Sequence, residues 1–126
     1  MNQGKIKSFT QLDTWKFGHQ LVLDIYKITR KFPREELFGL TNQLRRAIIS
    51  FTSNIAEGWG RFSYKDKIKF YYNSRASVYE SLDWLQKAKV RKLITSEEYQ
   101  KVFSILQALP KEINSLINYT NSHLSV

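Results

Sequence analysis

Cysteine is absent from the 126-residue sequence, which removes disulfide scaffolds, thiolate metal sites and cysteine nucleophiles together. Proline occurs twice and glycine five times against 42% hydrophobic residues, so the chain is not a disordered one and is expected to fold as a single domain over residues 1–126. Histidine is limited to His19 and His123. No Glu-x-x-His pair exists for a di-iron bundle site, and no Ser-His-Asp set or glycine-rich phosphate loop can be assembled. The expectation is a protein that is not an enzyme and holds no metal or other cofactor. Long apolar runs are also missing. The longest uncharged stretch before the C-terminal tail, Ala47 to Ala56, is half of the roughly 20 residues a membrane span needs. No apolar segment follows Lys5 and Lys7, so no signal peptide is read and a soluble, cytoplasmic protein without membrane contact is expected. Acidic residues are few: 11 Asp and Glu face 20 Lys and Arg, for a formal charge of +9. A surplus of that size makes polyanions the default partner.

What is present is helical periodicity. Four segments, about 12–32, 41–58, 64–92 and 96–120, carry apolar residues at helical spacing, and no alternating run suggests a strand. The first presents Trp15, Leu21, Val22, Ile25, Tyr26 and Ile28 and is stopped by Pro33. The second presents Leu44, Ala47, Ile48, Phe51 and Ile55, and Gly58-Trp59-Gly60 is expected to end it. The third starts at Ser63, with Asp66 in the place of a capping-box glutamate, and turns Tyr64, Ile68, Tyr71, Val78, Tyr79, Leu82 and Leu85 inward. The fourth opens on a Thr95/Glu98 capping box, and Pro110 is expected to kink it near Leu106. The fold class is all-α, an antiparallel up-down-up-down four-helix bundle, with a frayed tail over Asn121–Val126.

Charge is uneven along the chain. Residues 1–94 hold 18 basic and 8 acidic groups, and residues 95–126 hold 2 and 3. Lys87, Lys89, Arg91 and Lys92 close the third segment, where the helix dipole favours cations. Arg61, Lys65, Lys67 and Lys69 open it, where the dipole opposes them, and this cluster reads either as a phosphate seat or as a solvated face. Trp59, Phe62 and Tyr64 flank Arg61 in the mixed basic and aromatic setting that suits single-stranded nucleic acid. Arg45, Arg46, Arg61, Lys65 and Lys69 are the candidate nucleic-acid contacts. Arg75 falls within an apolar stripe and calls for a carboxylate; Glu57 and Glu80 are the candidates for a structural ion pair, with a ligand-facing role as the alternative. Ser74, Ser77, Ser81 and Ala88 form a seam of small side chains. It suits either the bundle interior or, with the surplus apolar Leu23, Ile49 and Ala56, self-association.

Phe32-Pro33, Glu35/Glu36, Phe38-Gly39-Leu40, Gln43-Leu44-Arg45-Arg46-Ala47, Asn54-Ile55-Ala56-Glu57-Gly58, Gly60-Arg61 and Ser63 closely resemble the bacterial four-helix-bundle proteins encoded in intervening sequences of 23S rRNA genes. The resemblance extends from Trp15 through Tyr99. A more distant one, mainly of fold, is to the accessory variability determinant of diversity-generating retroelements. Ser74-Arg75-Ala76-Ser77 departs from the family's smaller Ala-x-Gly-Ser. The resemblance implies an association with rRNA intervening sequences by genomic location; the wider group implies a homopentamer with a basic surface, and the more distant relation implies nucleic acid (RNA or DNA) and a reverse transcriptase as partners. Two function classes follow: a non-catalytic nucleic-acid binder working through phosphate contacts, and a protein-interaction scaffold without nucleic-acid affinity of its own.

Overall fold

The structure is a computed structural model and describes residues 6–123; the tail from residue 124, part of the expected frayed end, lies outside them. Four helices are formed: α1 (Asp13–Thr29), α2 (Asn42–Gly60), α3 (Tyr64–Val90) and α4 (Ser96–Asn121). No strand occurs among the described residues. Neighbouring helices run antiparallel, as their cross-contacts show. The Arg45 Nε of early α2 donates to Thr29 at the end of α1, and the Ser74 hydroxyl of α3 donates to the Phe51 carbonyl in mid-α2. Gln86 of α3 meets Tyr99 of α4, and Arg75 meets Asn114. Lys31 and Asp24 pair with Glu98 and Lys101 of α4, which closes the ring of helices. The bundle therefore has two ends. The α1–α2 end gathers the close of α1 and α3 with the start of α2 and α4, and the α2–α3 end gathers the rest.

Each helix turns its sequence stripe inward. Leu21 and Ile25, Leu44, Ile48, Phe51 and Ile55, Ile68, Tyr71, Val78 and Leu85, and Tyr99 through Ile117 of α4 share one core. Fully burying one such side chain contributes about 1.5–3 kcal/mol. The small seam lies inside: Ser74, Ser77, Ser81 and Ala88 are buried, and the Ser77 hydroxyl meets that of Ser50 across the α2–α3 contact at 2.9 Å. Tyr79 does not turn inward; at 57% exposed it lies on the outer surface, as does Tyr64.

Helix ends differ from the periodicity for physical reasons. α1 stops at Thr29, and the Phe32 ring folds with Leu40 and Ala88 into a second, smaller core. Gly58 does not terminate α2, which continues to Gly60. A Cβ at Gly58 would come within 2.7 Å of the Tyr71 ring, so this glycine serves the close approach of α3. The α3 helix ends two residues early because Lys92 adopts φ 59°, and the Leu93 N–H returns to the Ala88 carbonyl at 3.0 Å, a Schellman closure. Between α1 and α2 the chain makes a 3₁₀ turn (Arg34–Glu36) and a π turn (Leu37–Thr41). Pro110 leaves α4 unbroken from Ser96 to Asn121.

At Ser63 only half the expected box forms: its hydroxyl accepts from the Asp66 N–H at 3.1 Å, without a return bond, since Asp is one methylene shorter than Glu. At Thr95 both bonds are made. There the hydrogen bond from Lys31, then the Thr95 N–H, holds the Glu98 carboxyl below its ordinary value of 4.5. A depressed carboxyl stabilises the fold above its unfolded pKa and loses that contribution as pH falls through the folded one. Denaturant midpoints measured from about pH 7 to pH 3 should therefore fall less steeply for Glu98→Gln, which keeps the capping geometry without the charge. Parallel curves for variant and wild type would show that Glu98 does not drive the acid limb.

Candidate nucleic-acid interface

The five candidate cations do not share one surface. Arg45 and Arg46 lie in the first turns of α2, and Arg61 follows its last residue. At 1.5 Å per residue, these positions are about 24 Å apart. Lys65 and Lys69 join Arg61 at the α2–α3 end, one above the other on α3. Both are exposed, and neither has a carboxylate partner among the described residues. Arg61 is held: its Nη2 donates to Glu57 at 2.7 Å, and its guanidinium lies 4.4 Å from the Phe70 ring centroid. An exposed pair of this kind contributes only about 0.2–0.5 kcal/mol, so it orients Arg61 without removing it from a competing anion.

The ion pair expected of Arg75 does not form. Its Nη1 donates to Asn114 Oδ1 at 2.6 Å, and its guanidinium stacks 4.8 Å from the Tyr72 centroid. Glu57 is taken by Arg61, and Glu80 is exposed with no ion pair among the described residues. Arg75 sits at the edge of the stripe rather than in it, so an amide oxygen suffices in place of the carboxylate that full burial would demand.

The α2–α3 end also holds an aromatic cleft of about 320 Å3, walled by Trp59, Tyr64, Tyr119 and His123 with Lys67 and Tyr71 behind. His123 lies 4.4 Å from the Tyr119 ring and 6.0 Å from that of Tyr64, centroid to centroid. Lys67 Nζ donates to the Trp59 carbonyl at 2.6 Å. It closes the C-terminus of α2, and burial pushes its ammonium below the usual lysine value. Burial pushes the Tyr71 hydroxyl up to about 12, so it stays protonated at neutral pH. Trp59 and Tyr64 were legible in the sequence as neighbours of Arg61. Tyr119 and His123, some 60 residues away, arrive only because α4 runs antiparallel to α3. Phe62 lies fully exposed and does not line this cleft.

Among the described residues no helix is long and apolar enough to cross a membrane. A basic, all-helical bundle with separate cationic ends is the class these features define. The family of 23S rRNA-intervening sequence proteins matches residues 10–115, and the chain belongs to it. A crystal structure of a protein of unknown function from the S23 ribosomal protein family of Bacteroides thetaiotaomicron has the same fold. Its TM-score is 0.76 at 21% identity, over 82% of this chain and 97% of that one. No curated protein matches the sequence.

Proposed function

We propose that this chain is a non-catalytic binding protein for single-stranded nucleic acid, engaged at the α2–α3 end. Phosphates would lie along Arg61, Lys65 and Lys69, and a base would stack in the cleft of Trp59, Tyr64, Tyr119 and His123. The observation that carries the reading is that one end of the bundle holds both the aromatic cleft and two exposed lysines, Lys65 and Lys69, with no carboxylate partner among the described residues. Aromatic faces accept any base, and lysines track any backbone, so the recognition is sequence-independent. The family's tie to 23S rRNA intervening sequences makes RNA the first nucleic acid to test.

Three neutralised phosphates on a single strand give a log–log salt slope of about −2. Titrating labelled single-stranded and duplex oligonucleotides across a range of salt concentrations measures it. Lys65→Ala with Lys69→Ala should flatten the slope by about 1.4. Tyr119→Ala should weaken binding by about 1–3 kcal/mol and leave the slope alone. An unchanged slope in the lysine variant moves the site elsewhere.

A second reading, an interaction scaffold docking a protein such as a reverse transcriptase, is favoured by one feature. A groove of about 540 Å3 at the α1–α2 end is lined by Leu40, Trp84 and Val90, with Lys87 and Arg91 along it. No affinity for RNA or DNA in the titration would favour this reading. Self-association as a homopentamer belongs to either reading and is supported by exposed Phe17, Leu23 and Ile49; a monomer in sedimentation would remove it.

A further inference from the structure

Arg45, absent from the interface above, belongs to a separate cleft of about 280 Å3 where the end of α1 meets the π turn. Arg30, Arg34 and Arg45 line it, together with Phe32, Leu37 and Thr41. None of the three guanidiniums has a carboxylate partner among the described residues. Of the acidic groups at this end, Glu36 pairs with Arg91 at 2.6 Å and Glu98 with Lys31, while Glu97 is exposed and does not line the cleft. Glu35 is exposed and does not line the cleft. Like charges gathered in one concavity raise its affinity for an anion.

Arg45 is already set in place. Its Nε donates to Thr29 Oγ1 at 2.8 Å, and its guanidinium lies 4.5 Å from the Tyr26 centroid. The Thr29 hydroxyl is itself anchored, donating to the Ile25 carbonyl at 2.7 Å. Both Nη groups of Arg45 are left without a protein partner among the described residues, which is the fork that receives two oxygens of one oxyanion.

A second, independent observation concerns Thr41. It lines the same cleft and is only 3% exposed, yet its Oγ1 has no hydrogen-bond partner. A buried hydroxyl is nearly always paired, and a small opening of this wall would let a seated oxygen pair it.

We propose that this cleft binds a phosphomonoester. Three arginines exceed what one carboxylate needs and suit a dianion with several acceptor oxygens, while Phe32 and Leu37 offer apolar surface to the group that carries it. The site lies about 24 Å along α2 from Arg61, so it stands apart from the single-strand interface. The phosphate has two sources, the 5′ end of a polynucleotide or a free nucleotide.

The test uses the full chain with four probes: AMP, adenosine, and one decaribonucleotide with a 5′-phosphate or a 5′-hydroxyl, followed by calorimetry. AMP should bind and adenosine should not. Arg34→Gln with Arg45→Gln should lose at least tenfold in AMP affinity, and Lys65→Gln with Lys69→Gln should lose none. Thr41→Val should weaken AMP several-fold while its melting temperature stays level or rises, because a methyl replaces an unpaired hydroxyl. A mere packing role for Thr41 would leave AMP affinity untouched. If the 5′-phosphate strand outbinds its 5′-hydroxyl twin tenfold and AMP competes poorly, the source is a polynucleotide end. If AMP binds as tightly as that strand, the source is the free nucleotide. No phosphate-dependent gain with either probe, or full AMP binding in the double arginine variant, overturns the proposal. Failure of the wild-type chain to bind the 5′-hydroxyl strand would sink the single-strand reading and leave this one standing.

Discussion

Gly18→Ala will destabilise the bundle by about 2 kcal/mol, although helix propensity alone favours the change by about 1 kcal/mol. Gly18 is buried in α1, and a Cβ there would come within 2.1 Å and 2.6 Å of Phe51 ring atoms and 2.9 Å of the Thr52 methyl. Phe51 is fully buried and cannot swing toward solvent. The added methyl must therefore move the ring or part α1 from α2, and overpacking of this kind costs about 1–3 kcal/mol. The urea midpoint reports the loss. Phe51→Leu, which removes the ring edge, should make Gly18→Ala less costly in its presence, with a coupling of about 1 kcal/mol. Additive losses in the double variant would mean that the two positions do not meet as described. Because the clash lies in the core and far from the cationic ends, binding per folded molecule should be unchanged.

Gly18 also shows where the sequence speaks and where it is silent. Its place on the apolar face of α1 follows from periodicity, but the need for no side chain there depends on Phe51, 33 residues on. The inward faces of α2 and α4 are legible because packing against a core demands apolar residues every three or four positions, and Leu44 through Ile55 and Val102 through Ile117 supply them. In α3 that signal divides. Ile68, Tyr71, Val78 and Leu85 cover one part of the buried face and serines the other, since close helix approach needs small side chains rather than apolar ones. Tyr79 scores as apolar and lies outside. Arg75 was misplaced for the same reason: near the boundary of a mixed face, a shift of one helical position separates a buried cation from one that reaches Asn114.

The candidate sites were legible only in part. Lys65, Lys69 and Arg61 are local to one chain turn, and so is their aromatic neighbour Tyr64. Tyr119 and His123 of the aromatic cleft come from the α4 end, and Arg45 is separated from Arg61 by the length of α2, so the five cations divide between two ends of the bundle. The arginine cleft depends on the π turn at Leu37–Thr41, which carries Thr41 into the protein interior. Nothing in the local composition of that connector marks Thr41 as buried.

Ser74→Leu should be the other severe substitution, at about 3 kcal/mol or more, whereas Ser74→Ala should cost about 1 kcal/mol. Ser74 is fully buried, and its hydroxyl donates to the Phe51 carbonyl at 2.8 Å across the α2–α3 contact. Ser77 and Ser81 continue the seam, with the Ser81 hydroxyl returned to the Ser77 carbonyl at 2.8 Å. An isobutyl group has no room between two helices held this near, so α2 and α3 must separate and expose Ile48, Phe51 and Val78. Alanine removes only the hydrogen bond, and the methyl fits where the hydroxyl was. The contrast between the two variants therefore reads seam geometry apart from hydrogen bonding, with thermal unfolding as the measurement. It also separates two roles of the seam. If the seam joins helices within one chain, Ser74→Leu lowers the unfolding temperature at every protein concentration by the same amount. If it joined separate copies instead, the loss would fade as the protein is diluted and the wild type itself dissociates. The buried hydroxyls of Ser74 and Ser81 place the seam inside the chain.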